Sequence, residues 1–218
     1  MITLSNITKS YKTKFGRVDA LRGVSLSIDE GSFTMLYGSS GSGKSTLLSI
    51  LGLLDEPTSG EYFIGGENML AKSQKEKTAA RGEKIGFIFQ SFNLIPTLTA
   101  FENVELPLGY RGVKKDERRE RVKTALESVG LGDRMHHRPS ELSGGEQQRA
   151  AIARAMIMKP KILLADEPTG NLDTDTAREI MELIASLDST VVMVSHDEDL
   201  AVYADRVIRL KKGSVTEG

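Results

Sequence analysis

Gly38-Ser39-Ser40-Gly41-Ser42-Gly43-Lys44-Ser45-Thr46 has the residue types and spacing of a phosphate-binding loop, G-x-x-x-x-G-K-[ST], with every fixed position filled. Glycines let the backbone curl so that successive N–H groups point inward at an anion. The helix that follows offers its free amides and the positive end of its dipole to the same anion. Lys44 adds a point charge for β- and γ-phosphates, and the Ser45 hydroxyl is placed to ligate Mg²⁺.

A second group of residues fits the same chemistry. The apolar run Lys161-Ile-Leu-Leu-Ala165 ends in Asp166-Glu167. An apolar strand closed by Asp is the arrangement that holds Mg²⁺ beside such a loop, and Glu167, one residue on, can polarise a water for in-line attack on a γ-phosphorus. Gln90 follows Lys84-Ile-Gly-Phe-Ile-Phe89 and can serve as a neutral ligand to Mg²⁺ or water. His196 follows Thr190-Val-Val-Met-Val194 and Ser195. Both stand at the carboxyl ends of strands, where open α/β sheets gather their ligands. Ser143-Gly144-Gly145-Glu146 opens a helix with a capping box and no bulky side chain, which makes a second anion-binding helix start in one chain. Tyr11 is an aromatic that can stack on a nucleobase or simply pack.

These residues need a scaffold, and the patterning supplies one. Ile2–Ile7 and Val24–Ile28 alternate as half-buried strands, Phe33–Tyr37 is a buried strand, and Glu61–Ile64 with Gly65-Gly66 is a strand and turn. The expected N-terminal part is therefore an antiparallel β layer around the first parallel strand. The run after the loop, Thr46 to Leu54, reads as a helix stopped before Pro57. Lys114–Val129 is a charged helix with the stripe Val122, Leu126, Val129 and Gly130 as its C-cap. A further helix places Ala177, Ile180, Met181, Ile184 and Leu187 on one face. Val207–Leu210 and Val215 form a closing hairpin about Gly213. The segment from Ser91 to Phe101 reads as a loop around Pro96. Its apolar residues are either a local plug or a docking surface for another protein.

With 29 basic and 30 acidic residues the net charge is −1, so no field draws a polyanion and nucleic acid is not an expected partner. The absence of cysteine excludes disulfides and thiol ligands. No apolar run approaches the ~20 residues that span a bilayer, so a membrane role is expected to come through a partner.

From end to end, the chain resembles the ATP-binding subunit of ABC transporters. Tyr11 matches that family's adenine-stacking aromatic, Gly38 to Ser45 its Walker A loop and Gln90 its Q-loop. Leu142-Ser-Gly-Gly-Glu146 matches the family signature, Ile162 to Asp166 with Glu167 the Walker B strand and catalytic glutamate, Gly170-Asn-Leu-Asp173 the D-loop, and His196 the switch histidine. The stretch from Phe89 to Val104 looks like the lipoprotein-release and macrolide-efflux subfamily, which also includes the cell-division ATPase and peptide-antibiotic pumps.

The resemblance implies an α/β P-loop NTPase (RecA-like) core with an N-terminal antiparallel β subdomain. An α-helical subdomain is inserted over residues of about 91–158, and residues 1–90 and 159–218 form the nucleotide-binding core of a single domain. It also implies two subunits paired head to tail, with each ATP between the loop of one and Ser143–Gly145 of the other. An integral membrane permease would dock near residues 91–101, placing the subunit peripherally on the cytoplasmic face of the inner membrane. A soluble ATP-driven clamp without a permease is the second reading. A GTPase or small-molecule kinase is the third, against which stands the lack of an Asn-Lys-x-Asp guanine-reading motif.

Overall fold

Ile2, Leu4 and Ile7 are buried and the residues between them less covered, the pattern of a strand with one face against a core. In the computed structural model, which describes residues 1–14 and 16–216, that strand runs well past its apolar start as β1 (Ile2–Thr13). The polar continuation is held by its neighbour β2 (Gly16–Ile28), antiparallel from Ile2 opposite Ile28 to Thr13 opposite Gly16, with bulges along the way. By contact, the chain gathers into two compact units, Met1–Arg81 with Ser189–Gly218, and Gly82–Asp188.

In the first unit, β3 (Phe33–Tyr37), α1 (Lys44–Leu51), β4 (Ser59–Ile64), β5 (Glu67–Asn68) and α2 (Gln74–Lys84) as far as Arg81 follow. The expected antiparallel layer is four-stranded, in the order β2-β1-β4-β5. Gly60 takes φ 107 and lets β4 pass close to β1, since a Cβ there would meet the carbonyl oxygens of Asn6 and Ser5 at 2.6 and 2.7 Å. Helix α1 starts at Lys44 rather than Thr46, because Gly43 already serves as its N-cap. It stops at Leu51, where Gly52 and the left-handed Leu53 turn the chain. Beneath its end the wholly buried Tyr62 donates from its hydroxyl to the Leu51 carbonyl at 2.6 Å. The pattern did not announce α2. Only Lys77 and Ala80 are buried on it, so it carries no apolar stripe to read.

The second unit contains β6 (Ile85–Phe89), α3 (Ala100–Tyr110), α4 (Lys115–Ser128), α5 (Gly144–Met156), β7 (Ile162–Asp166) and α6 (Thr174–Ala185). Strands β6 and β7 are parallel, with Ile85 opposite Ile162 and Phe89 opposite Asp166. Val122, Leu126 and Val129 bury against Val104, Leu108, Ala150, Ala153 and Ile157, as the stripe on α4 requires. Val129 is the C-cap of α4. Gly130, at φ 76, lies one position beyond it, and the Gly130 and Leu131 amides return to the Glu127 and Leu126 carbonyls at 3.0 and 2.8 Å. That is a Schellman closure. The stretch 91–158 is less continuously helical than its sequence: residues 90–99 are irregular, and short 3-10 turns occupy Gly132–Arg134 and Pro139–Glu141.

The chain completes the first unit with β8 (Thr190–Ser195), β9 (Arg206–Lys211) and β10 (Ser214–Thr216). β3 runs parallel to both β8 and β9, and β10 closes an antiparallel hairpin on β9. β8 is buried at every position, as expected of a parallel strand covered on both faces. Among the described residues, no helix is long and apolar enough to cross a membrane.

Candidate functional site

In the first unit, Tyr37 of β3 pairs with Ser195 of β8, so Gly38 and His196 leave adjacent parallel strands at the same level. His196 is exposed there. Gly38 lies where a side chain would run into the Leu210 carbonyl and the Ser42 hydroxyl, and Gly41 and Gly43 take φ 75 and 104. Ser39 and Ser40 are exposed on the outer turn between them. Lys44 is 6% exposed, and its ammonium donates to the Gly38 and Ser39 carbonyls at 2.6 and 3.1 Å, which pins the ring of the loop. No side chain caps α1 and no acid sits in its first turn. Its leading amides and dipole are thus directed at whatever the loop encloses, an arrangement that suits phosphate. Ser45 is exposed, and the buried Ser42 hydroxyl has no hydrogen-bond partner.

Tyr11 is the aromatic of this unit whose placement sequence left open. The residue is 39% exposed, and its hydroxyl donates to Asp55 at 2.8 Å. Lys9 ion-pairs with Asp55 at 2.6 Å and sits 4.9 Å from the ring centroid. The Thr46 side chain also bonds the hydroxyl. Partial burial, then the bond to Asp55, raises the phenol's pKa. Burial alone would raise that of Asp55, but the Lys9 and Tyr11 bonds outweigh it and hold it low. The hydroxyl end is therefore tied to Asp55 while the residue stays partly exposed, with Lys9 over its ring.

The second unit assembles the other motif residues. Phe89 pairs with Asp166, so Gln90 and Glu167 leave β6 and β7 side by side. Gly170 makes room for the Gln90 side chain, whose Nε2 lies 2.7 Å from where a Cβ would stand. Asn171 donates to the Gln90 carbonyl at 2.9 Å. Glu167 adopts φ 47 directly before Pro168. A left-handed non-glycine residue costs on the order of 1–3 kcal/mol, and the following proline disfavours it further. Ser143 caps α5. Its hydroxyl accepts from the Glu146 amide at 3.3 Å, while the Glu146 carboxylate accepts from the Ser143 amide at 2.8 Å. A Cβ on Gly144 would touch Leu172 at 3.3 Å, and one on Gly145 would strike the Thr176 methyl at 2.5 Å. The helix start is therefore bare because it must be.

Residues 21–170 match the family model described as ABC transporter. The chain belongs to the ABC transporter family. It is an ATP-binding, ATP-hydrolysing cassette of the type that powers membrane transporters. It is similar to the uncharacterized ABC transporter ATP-binding protein YknY of Bacillus subtilis, 48% identical over 99% of this chain and 95% of that one. It is 47% identical to the macrolide export ATP-binding/permease protein MacB of Chlorobaculum tepidum, over all of this chain and 34% of that protein. Among solved structures, the cassette is similar to a dimeric post-hydrolysis state of MJ0796 bound to ADP and Pi. The TM-score is 0.92 and the identity 46%, over 100% of this chain and 97% of that one.

The ABC cassette also uses residues that the motifs do not name. Arg154 on α5 is largely buried, a state that lowers its pKa, and donates to the Asn93 and Phe92 carbonyls at 2.6 and 2.9 Å. Asn103, fully buried on α3, accepts from the Ile95 amide at 2.7 Å and donates to the carbonyls of Ile95, Leu98 and Thr99. Thr99 and Glu102 form a capping box at the start of α3, a T-x-x-E signal present in the sequence.

The capping box on α5 has a pH signature. Hydrogen bonding to the Ser143 amide, with Arg134 at 3.3 Å adding its charge, holds the Glu146 pKa below the usual 4.5. A depressed carboxylate stabilises above its unfolded pKa and loses that contribution as pH falls through the folded one. The melting-temperature difference between the parent and Glu146→Gln should be constant above about pH 5 and vanish in acid, below the usual glutamate range. A difference that grows on acidification would contradict the box.

Proposed function

We propose that this cassette works as a head-to-tail pair around two ATP molecules and drives a separate permease of the macrolide-export or lipoprotein-release type. The observation that carries the reading is the coexistence of two anion-binding helix starts in a chain with one phosphate-binding loop, uncapped α1 behind Gly38–Ser45 and capped, bare α5 at Ser143–Gly145. The dimeric MJ0796 structures support the pairing. In this reading Tyr11 stacks on adenine and Gly38 to Thr46 enclose the phosphates. Ser143, Gly144, Gly145 and Glu146 form the opposing helix start presented to the other subunit's ATP. Glu167 is the general base and His196 contacts the γ-phosphate.

In this reading Ser45, Gln90 and Asp166 are the oxygen donors that would hold Mg²⁺. All three are hard donors, and the described residues hold no cluster of three His, Cys, Asp or Glu that would bind a metal unaided. Bound there, Mg²⁺ supplies neutralisation of phosphate charge.

The permease reading places the cassette peripherally at the cytoplasmic face of the membrane, with residues 91–101 as the docking surface. Leu94 and Phe101 pack against the helical core, so they belong to a plug, whereas Ile95 is 40% exposed. The test is affinity capture from detergent-solubilised membranes. The parent should retain an integral membrane protein, and Ile95→Asp should lose it while keeping basal ATPase activity and melting temperature. Leu94→Asp should instead lower the melting temperature, because it buries a charge. Failure to retain any membrane protein, with or without ATP, would favour the soluble clamp.

A further inference from the structure

The left-handed, pre-proline conformation of Glu167 survives only if its surroundings impose it. Part of the imposition is local. The Gly170 amide donates to the Glu167 carbonyl at 3.1 Å, and the Leu172 amide to the Thr169 carbonyl at 3.1 Å, which folds residues 167–172 into consecutive turns. The carbonyl between them, that of Pro168, is taken from outside the turn. Gln148 of α5, wholly buried, donates to it from Nε2 at 2.5 Å.

The other half of that amide is unmet. Gln148 Oε1 is buried with no hydrogen-bond partner. A buried amide with an orphaned acceptor is a poor choice for packing, since an apolar side chain of the same shape would avoid the desolvation cost. The position makes physical sense if what it supplies is the donor. Gln148 lies on the helix that Ser143 opens, and its partner peptide adjoins Glu167, so one side chain joins the signature helix to the turn carrying the carboxylate.

We propose that Gln148 is a positioning residue for hydrolysis: its amide clamps the Pro168 carbonyl and so keeps Glu167 aimed at the attacking water. The inference rests on the reading of Glu167 as the general base. A misplacement of about 1 Å in a catalytic group costs on the order of 10²-fold, so a partial release of the turn should be visible in kcat.

The experiment is steady-state ATPase kinetics on the full chain with two variants. Gln148→Met keeps the shape and removes the amide. Gln148→Asn keeps the amide and draws it back by one methylene. Each should lower kcat by roughly 10-fold or more, leave KM for ATP within about twofold, and speed hydrogen exchange at the Gly170 amide. Each is then combined with Glu167→Gln. If Gln148 acts through Glu167, the double mutant is no slower than Glu167→Gln alone, because the carboxylate being aimed is already gone. Losses that multiply would make Gln148 a general structural residue and overturn the proposal, as would parental kcat in Gln148→Asn. A parental rate in Glu167→Gln alone would instead remove the general-base reading, and the inference with it.

Discussion

Replacing Glu167 by glutamine is expected to leave ATP binding at the parental level and to slow hydrolysis by about 10²–10⁴-fold, the usual reach of a general base. The geometry that motivates this is the end of β7. Asp166 is the last strand residue, and the next residue turns into a left-handed conformation instead of continuing the strand. That turn places the two carboxylates differently, Asp166 on the sheet and Glu167 on the loop beyond it. The amide of glutamine keeps the shape and the hydrogen-bonding reach and loses the proton-accepting capacity. Steady-state ATPase assays and equilibrium binding of a fluorescent ATP analogue measure the two quantities separately. A variant that turns over near the parental rate would mean that another group orients the water.

The second large effect concerns sharing of sites between subunits. Lys44→Ala removes the ammonium that bridges the Gly38 and Ser39 carbonyls, and Ser143→Arg fills the bare start of α5. Each variant alone should be nearly inactive. Losing the Ser143 cap costs only about 0.5–2 kcal/mol, so inactivity there would reflect the site and not unfolding, which circular dichroism can verify. Mixed, the two form heterodimers in which one site carries both defects and the other carries neither. Random pairing then restores at most about a quarter of the parental activity, provided one intact site fires alone. The double mutant in a single chain restores none. Full activity in an ATP-bound monomer, unchanged across protein concentration, would end the shared-site mechanism.

What sequence revealed and what it concealed divides along chain distance. Gly38 to Ser45 were legible because their chemistry is made by adjacent residues. Ser143 and Glu146 were legible because a capping box is an i, i+3 relation. β3 and β8 showed as largely apolar runs without alternation, because strands covered on both faces need none. The polar extension of β1 was not visible. Residues 8–13 are held by cross-strand pairing with β2, which no local pattern encodes. Likewise Arg154 and Gln148 meet their partners 61 and 62, and 20, residues away, so their types alone gave no sign of a role. Tyr11 could be read only as an aromatic able to stack or to pack, because its anchor Asp55 lies 44 residues downstream with no mark of its own in the sequence.

The irregular stretch from Gln90 to Thr99 would ordinarily be taken as soft. Asn103 ties four backbone groups of it to α3, and Arg154 ties two more to α5. Its conformational freedom has thus been surrendered during folding. Fixing even a few free residues at the moment of association would cost on the order of 1–2 kcal/mol each. A surface that needs no such ordering can be met as a rigid body, which favours rapid encounter and release over slow, induced engagement. The same bonds leave the stretch little compliance. On the docking reading, a push on Ile95 would be passed to α3 and α5 and not absorbed by bending of the stretch.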